Sequence, residues 1–93
     1  MIRTFRNRDT ERAFKGERVR SLPQDIRRRV QRQLIRVHTV VDLLELNTPP
    51  SNRLEALKGD RKGQWSIRVN DQWRICFEWK DGDAYDVEIV DYH

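Results

Sequence analysis

The chain has 93 residues and a mass of 11.3 kDa, the size of one domain over residues 1–93, and 37 % of its residues are charged. A single cysteine excludes an internal disulfide framework, and one cysteine with two histidines cannot form a Cys/His zinc site. No run of about 18 apolar residues and no apolar signal segment is present, so we expect a cytoplasmic protein without membrane association.

Positive charge is concentrated in the first part of the sequence. The net charge is +4, but residues 1–38 carry twelve Lys and Arg against four Asp and Glu. Residues 77–93, in contrast, carry one Lys and six acidic residues. A basic surface of this kind suits an anionic partner such as nucleic acid, although solubility alone explains the charge equally well.

The first elements in chain order are a short strand and a short helix. Residues 2–5 alternate apolar and polar side chains, which predicts an N-terminal strand. Asn7 or Asp9 then caps a helix that carries Phe14, and Gly16 ends it.

A long second helix is predicted over roughly residues 22–46. Residues 21–24 read Ser-Leu-Pro-Gln, which resembles a capping box. Apolar residues follow at steps of three and four, namely Ile26, Val30, Leu34, Val37, Val41 and Leu44. Another face carries three arginines, Arg28, Arg32 and Arg36. The Pro49-Pro50 pair ends this helix.

After Gly63 the apolar period changes to two, which predicts strands. The apolar faces of three successive strands are Trp65, Ile67 and Val69, then Trp73, Ile75, Phe77 and Trp79, then Tyr85, Val87 and Ile89. Turns at residues 70–72 and 81–83 join them into an antiparallel meander. Because one face is apolar, the helices must cover it, so the predicted class is α+β.

The polar face of the predicted meander brings two arginines together. If the first turn keeps the apolar faces in register, Arg68 lies directly opposite Arg74. Two like charges across a strand pair cost up to about 1 kcal/mol. An anion between the two guanidinium groups, or flanking acidic side chains such as Asp86 and Glu88, would relieve that repulsion.

The same register predicts the other neighbours of Arg74. If the second turn keeps Phe77 opposite Val87, Arg74 lies diagonal to Tyr92, within roughly 7–8 Å. His93 follows at the end of the sequence.

Together these residues offer the groups that a ribonuclease without a metal ion needs. A base takes the proton of the ribose 2′-OH, cations stabilise the charge on phosphorus, and an acid protonates the leaving oxygen. The candidates are Glu55, Lys58, Arg68, Arg74, Tyr92 and His93. The alternative interpretation is structural, with solvated arginines, a frayed His93 and Tyr92 packing at the sheet edge. Cys76 has no evident base partner, which argues against a thiol nucleophile.

The sequence resembles the HigB toxins of the RelE/ParE superfamily over essentially its whole length. The most specific parts of the resemblance are the segments LKGDRKGQWSIRV and NDQWRICF and the terminal DYH. The resemblance implies a RelE-like fold and a type II toxin–antitoxin system. It also implies a toxin that cleaves mRNA in the ribosomal A site without a cofactor, and so inhibits translation and growth. A HigA-type helix-turn-helix antitoxin would neutralise this toxin, and their complex would bind operator DNA through the antitoxin.

The resemblance also implies roles for single residues. Lys58 would contact phosphate, Arg74 would stabilise the transition state, and Tyr92 and His93 would order the RNA and transfer protons. Some HigB toxins have His where Glu55 stands here, so the division of acid and base roles stays open. Arg68 of the SIRV segment corresponds less securely to the family pattern, because some relatives lack an arginine at that position.

Two alternative functions fit parts of the sequence. One is a DNA gyrase inhibitor of the ParE branch, and the other is a basic RNA- or ribosome-binding module without chemistry. The antitoxin would dock either over the candidate site or on the helix face that carries Arg28, Arg32 and Arg36. These arginines are also candidates for contacts with RNA phosphates.

Overall fold

A computed structural model describes residues 1–92, so His93 lies outside the described residues. Within them, the α-helices are α1 (Arg8–Phe14) and α2 (Arg27–Thr39), and the strands are β1 (Glu55–Ala56), β2 (Gln64–Arg68), β3 (Trp73–Lys80) and β4 (Asp83–Asp91). The strands form one antiparallel sheet in the order β1-β2-β3-β4. The predicted α+β class is therefore confirmed, with β1 added to the predicted three-stranded meander.

The N-terminal segment differs from the predicted strand. Ile2 and Phe5 form isolated parallel bridges with Ala84 and Val87 of β4. The N–H of Arg3 donates to the carbonyl of Ala84 at 2.8 Å. The segment thus lies along the outer edge of β4, but it forms separate bridges and not a continuous strand.

Helix α1 begins and ends where the sequence predicts. The side-chain oxygen of Asn7 accepts a hydrogen bond from the N–H of Thr10 at 2.9 Å. Gly16 follows the helix with a φ of +79°, a conformation that glycine adopts without a steric penalty. Phe14 is partly buried against the core.

The start of the second helix is different from the prediction. A 3₁₀ turn at Gln24–Ile26 precedes α2, and Pro23 before it provides no side-chain cap. The hydroxyl of Ser21 donates instead to the carboxylate of Asp9 at 3.3 Å. The predicted capping box is therefore wrong.

The second helix is also much shorter than predicted. α2 ends at Thr39, because Val40 has an extended backbone. A separate 3₁₀ turn at Leu43–Asn47 follows, capped by the carboxylate of Asp42. Val41 is 81 % exposed and Leu44 is 68 % exposed, so the apolar pattern beyond Thr39 does not mark a buried face.

The core forms where α2 lies on the sheet. Val30, Leu34 and Val37 of α2 are fully buried. The sheet contributes Ile67, Ile75, Phe77 and Val87, which are also fully buried. Among residues 1–92, no helix is long and apolar enough to cross a membrane.

The predicted register around Arg74 is confirmed. Arg68 pairs with Arg74 across β2 and β3, and Arg74 pairs with Val90 across β3 and β4. The two arginines therefore lie side by side on the polar face, near the turn that joins β2 to β3.

Farther along β4, a β-bulge changes the predicted register. Asp86 has a φ of +51°, and its N–H donates to the hydroxyl of Thr4 at 2.8 Å. The bulge lies opposite Phe77, so Tyr85 pairs with Glu78. Tyr85 therefore lies on the polar face, and its predicted place beside the apolar residues of β4 is wrong.

Candidate active site

A shallow cleft of about 300 Å³ lies on the polar face of the sheet, next to the β2–β3 turn. Its lining residues are Arg53, Glu55, Arg68, Asn70, Asp71, Arg74 and Tyr92. The cleft combines cations, carboxylates and a phenol within one open pocket. We call it the β2–β3 cleft.

Arg74 is the most firmly held side chain in the β2–β3 cleft. Its Nε donates to the buried hydroxyl of Ser66 at 2.9 Å, and its Nη2 donates to the carbonyl of Arg53 at 2.6 Å. The side chain of Arg74 is only 12 % exposed. Because two hydrogen bonds from different nitrogens fix the plane of a guanidinium, this cation is preorganised.

Glu55 and Tyr92 both lie close to the Arg74 guanidinium. Nη2 of Arg74 is 3.9 Å from a carboxylate oxygen of Glu55. The central carbon of the Arg74 guanidinium, Cζ, is 6.0 Å from the centre of the Tyr92 ring. The predicted juxtaposition of these three side chains is therefore present, with a carboxylate and a phenol beside one fixed cation.

Arg68 is neutralised by an exposed carboxylate. Its Nη2 is 2.6 Å from a carboxylate oxygen of Asp71 in the β2–β3 turn. The hydrogen bond and the positive charge of Arg68 lower the pKa of the Asp71 carboxyl, which therefore stays ionised at neutral pH.

The acidic residues suggested by the sequence as partners of the arginine pair lie elsewhere. Glu88 forms ion pairs with Arg61 at 3.2 Å and Arg6 at 3.7 Å. Asp86 contacts Thr4 at the bulge. The repulsion between Arg68 and Arg74 is relieved by Asp71 and Glu55 instead.

Tyr92 is held by its main chain and by a contact with Cys76. The N–H of Tyr92 donates to the carbonyl of Gln72 at 2.6 Å, and the Tyr92 hydroxyl lies 3.8 Å from the Cys76 sulfur. Burial raises the pKa of the Tyr92 phenol, and the contact with Cys76 raises it further. The phenol is therefore a neutral hydrogen-bond donor at neutral pH.

Cys76 is fully buried beneath Tyr92. Burial raises the pKa of its thiol, because a thiolate would lose hydration there. The thiol therefore has neither the exposure nor the ionisation of a nucleophile, in agreement with the sequence argument.

Lys58, unlike Glu55, Arg74 and Tyr92, does not line the β2–β3 cleft. Lys58 is exposed and precedes the 3₁₀ turn Gly59–Arg61. Within residues 1–92, nothing forms a hydrogen bond or ion pair with the Lys58 side chain, which is free to reach a ligand. The predicted role of His93 lies outside the described residues.

The three predicted arginines of α2 divide into two groups. Arg32 and Arg36 line a second cleft of about 410 Å³, whereas Arg28 is exposed outside it. The full lining is Arg29, Arg32, Gln33, Arg36, Pro49, Ser51, Asn52, Arg68 and Val69. We call this the α2 cleft. Arg68 lines both clefts.

Sequence reasoning missed several residues that build the site. Arg53 acts through its main-chain carbonyl, which no side-chain pattern reveals. Ser66 on β2 has the same parity as Arg68, which was a usable signal for its contact with Arg74. Asn70 accepts hydrogen bonds from two main-chain N–H groups of the β2–β3 turn, as its type and position in a turn indicate.

The chain is similar to known proteins over nearly its whole length. Residues 3–93 match a family model described as RelE-like toxin of type II toxin-antitoxin system HigB. The chain is 36 % identical over 93 residues to Endoribonuclease HigB of Proteus vulgaris, covering 100 % of both chains. It is also 36 % identical over 85 residues to Toxin HigB-1 of Vibrio cholerae serotype O1, covering 90 % of each chain. The chain therefore belongs to the HigB-like family of RelE-like toxins from type II toxin–antitoxin systems.

Proposed function

We propose that this protein is a ribosome-dependent mRNA endoribonuclease that needs no metal ion and inhibits translation and growth. The observation that carries the proposal is the fixed guanidinium of Arg74, which is held by Ser66 and Arg53 beside Glu55 and Tyr92. A preorganised cation of this kind stabilises negative charge that develops on phosphate oxygens. The name of the Proteus vulgaris relative also supports an endoribonuclease.

The proposed reaction is an internal transesterification of RNA. A base removes the proton of a ribose 2′-OH, and this oxygen forms a bond to the adjacent phosphorus. The bond from phosphorus to the 5′-oxygen then breaks, and an acid protonates that oxygen. The products are a 2′,3′-cyclic phosphate and a 5′-hydroxyl, so no water and no metal-bound nucleophile is consumed.

The side chains divide these tasks by charge and protonation. Arg74 stabilises the charge on phosphorus, and Lys58 and Arg68 contact phosphate oxygens. Tyr92 orders the RNA through its neutral hydroxyl. Proton transfer falls to Glu55 and to His93, since an unperturbed imidazole titrates near neutrality and suits either role.

The proposal extends to the partners of this toxin. We propose a HigA-type helix-turn-helix antitoxin that neutralises it in the cytoplasm and carries the pair to operator DNA. The antitoxin covers the β2–β3 cleft or binds the face of α2 with Arg28, Arg32 and Arg36. We also propose that residues 1–93 form a single toxin domain, whichever surface the antitoxin binds.

The decisive experiment compares mRNA alone with mRNA on ribosomes. Purified protein is added to each, and the new RNA ends are mapped and their chemistry is determined. We expect cuts inside translated codons only on ribosomes, with 2′,3′-cyclic phosphate ends, and cleavage about 10²–10³ times slower with Arg74→Ala. A parallel measurement is made in cells that produce the protein. Growth arrest with DNA breaks and intact mRNA would contradict the proposal and favour gyrase inhibition. Ribosome binding without cleavage would favour a non-catalytic module.

A further inference from the structure

The α2 cleft is built for an anion, and the proposed cleavage reaction does not use it. Four arginines line it, namely Arg29, Arg32, Arg36 and Arg68, and no acidic side chain does. The β2–β3 cleft, by comparison, contains Glu55 and Asp71. The two clefts differ in this way although they share a wall.

Among the described residues, three of the four arginines of the α2 cleft have no acidic partner, whereas Arg68 pairs with Asp71. Within residues 1–92, no carboxylate forms an ion pair with Arg29, Arg32 or Arg36. Arg36 donates to the carbonyls of Glu45 and Thr48 at 2.9 and 3.0 Å. These bonds use one of its nitrogens and fix the side chain, while the other N–H groups of the guanidinium stay available. Within the described part of the chain, the cleft therefore carries three arginines without a carboxylate partner, and one of them, Arg36, is held in place by the main chain.

The α2 cleft also has room for a ligand larger than a water molecule. Its volume of about 410 Å³ exceeds that of several water molecules, each of which takes about 30 Å³ in the liquid. Ser51, whose side chain is exposed, adds a hydroxyl next to the cations. Buried Asn52 is already bonded to Gln33 and to the carbonyl of Leu46, so it shapes the wall.

Arg68 connects this cleft with the β2–β3 cleft. It is the residue common to both linings, and its ion pair with exposed Asp71 is open to solvent. A phosphate from a polyanion can therefore exchange with Asp71. An RNA strand carries one negative charge per nucleotide. A strand bound in the β2–β3 cleft therefore has further phosphates beside it that can bind in the α2 cleft.

We propose that the α2 cleft is an RNA subsite, which binds a backbone phosphate of the substrate strand adjacent to the scissile one. This inference rests on the proposed endoribonuclease function and names where its substrate continues. Arg32 and Arg36 contact this phosphate, and Arg68 lies between it and the scissile phosphate. The choice of cleavage site then also depends on whether the strand next to the scissile phosphate can reach the α2 cleft.

The test measures binding of uncleavable RNA, so that it does not depend on catalysis. A short 2′-O-methyl RNA that fills only the β2–β3 cleft is compared with RNAs extended by single nucleotides at either end. Fluorescence anisotropy gives the affinity over a range of salt concentrations. We expect a step in affinity when one end becomes long enough to reach the α2 cleft.

Arg32→Ala should remove that step, weakening the extended RNA by about threefold to tenfold. It should also reduce the salt slope by about 0.7, the value for one phosphate contact on a single strand. Arg8→Ala removes the same charge from an exposed position on α1 and should leave the step unchanged.

Two results would overturn the inference. One is an unchanged step in Arg32→Ala, and the other is an equal loss in Arg32→Ala and Arg8→Ala, which would mean diffuse attraction to a charged surface. Ribosomes without mRNA form a further arm. If Arg32→Ala weakens their binding as strongly as it weakens the extended RNA, the phosphate belongs to ribosomal RNA and the inference is wrong. Failure of mRNA cleavage by the unmodified protein would instead contradict the proposed function, since it leaves these binding results unaffected.

Discussion

Replacing Arg74 with alanine should lower two quantities for different reasons, namely the stability of the fold and the rate of RNA cleavage. The stability effect comes from Ser66, whose fully buried hydroxyl accepts the hydrogen bond from Nε of Arg74. A buried polar group left without its partner costs about 1–3 kcal/mol. The second bond, to the carbonyl of exposed Arg53, adds less because water can replace Arg74 there.

The effect of the same change on cleavage should be larger. Removing one preorganised donor from a site of charge development lowers the rate by about 10²–10³, which corresponds to about 2.7–4 kcal/mol. The assay is cleavage of mRNA on ribosomes, with the protein at a concentration and temperature at which the variant is fully folded. Urea unfolding provides the stability value and establishes that condition.

A double variant separates the two effects. Ser66→Ala combined with Arg74→Ala removes both partners, so no buried hydroxyl is orphaned, and we expect it to be more stable than Arg74→Ala alone. Its cleavage should stay as low as that of Arg74→Ala, because the cation is still missing. Recovery of cleavage together with stability would refute the reasoning, since it would mean that Arg74 acts only by supporting the fold.

The other predictions concern the surroundings of Arg74. Asp71→Asn should tighten binding of uncleavable RNA, because it frees Arg68 from its ion pair. The control Asp81→Asn, in the turn between β3 and β4, should not tighten binding. Equal affinities of the two variants in fluorescence anisotropy would contradict this prediction. Cys76 should react slowly with a thiol reagent at neutral pH, because burial raises the pKa of its thiol. Tyr92→Ala should speed this reaction by uncovering Cys76. Equal reaction rates in the unmodified protein and in Tyr92→Ala would contradict the contact between Tyr92 and Cys76. Because the pKa of Tyr92 is raised from its ordinary value of about 10, its phenol stays protonated, and Tyr92→Phe should slow cleavage by the same factor at about pH 7 and pH 9. A factor that changes markedly between those two pH values would mean that Tyr92 ionises during the reaction.

The sequence predicts those features of the site that depend only on residues close together in the chain. Side chains alternate along a strand, and a tight turn preserves that alternation, so the pairing of Arg68 with Arg74 follows from neighbouring residues. The bulge at Asp86 has a distant cause, because it depends on the hydroxyl of Thr4 at the other end of the chain. The predicted position of Tyr85 was wrong for that reason.

The ion pairs show the same limit. Asp86 and Glu88 were reasonable partners for the arginine pair from strand parity alone. The structure assigns Glu88 to Arg61 instead, whose position depends on the loop before β2 and not on strand periodicity. The carboxylate that reaches Arg68 comes from Asp71 in the turn, three residues along the chain.

The shortened second helix and the unpredicted carbonyl of Arg53 have one cause. The apolar period continues past residue 39, but Arg36 donates to two carbonyls of the chain that follows and so stabilises a turn in place of more helix. Asn52 extends that arrangement by bonding to Gln33 of α2 and to the carbonyl of Leu46. The loop held in this way delivers the Arg53 carbonyl to Arg74. Periodicity describes one helix face at a time, and therefore it cannot reveal a loop whose position depends on side chains bonded to its main chain.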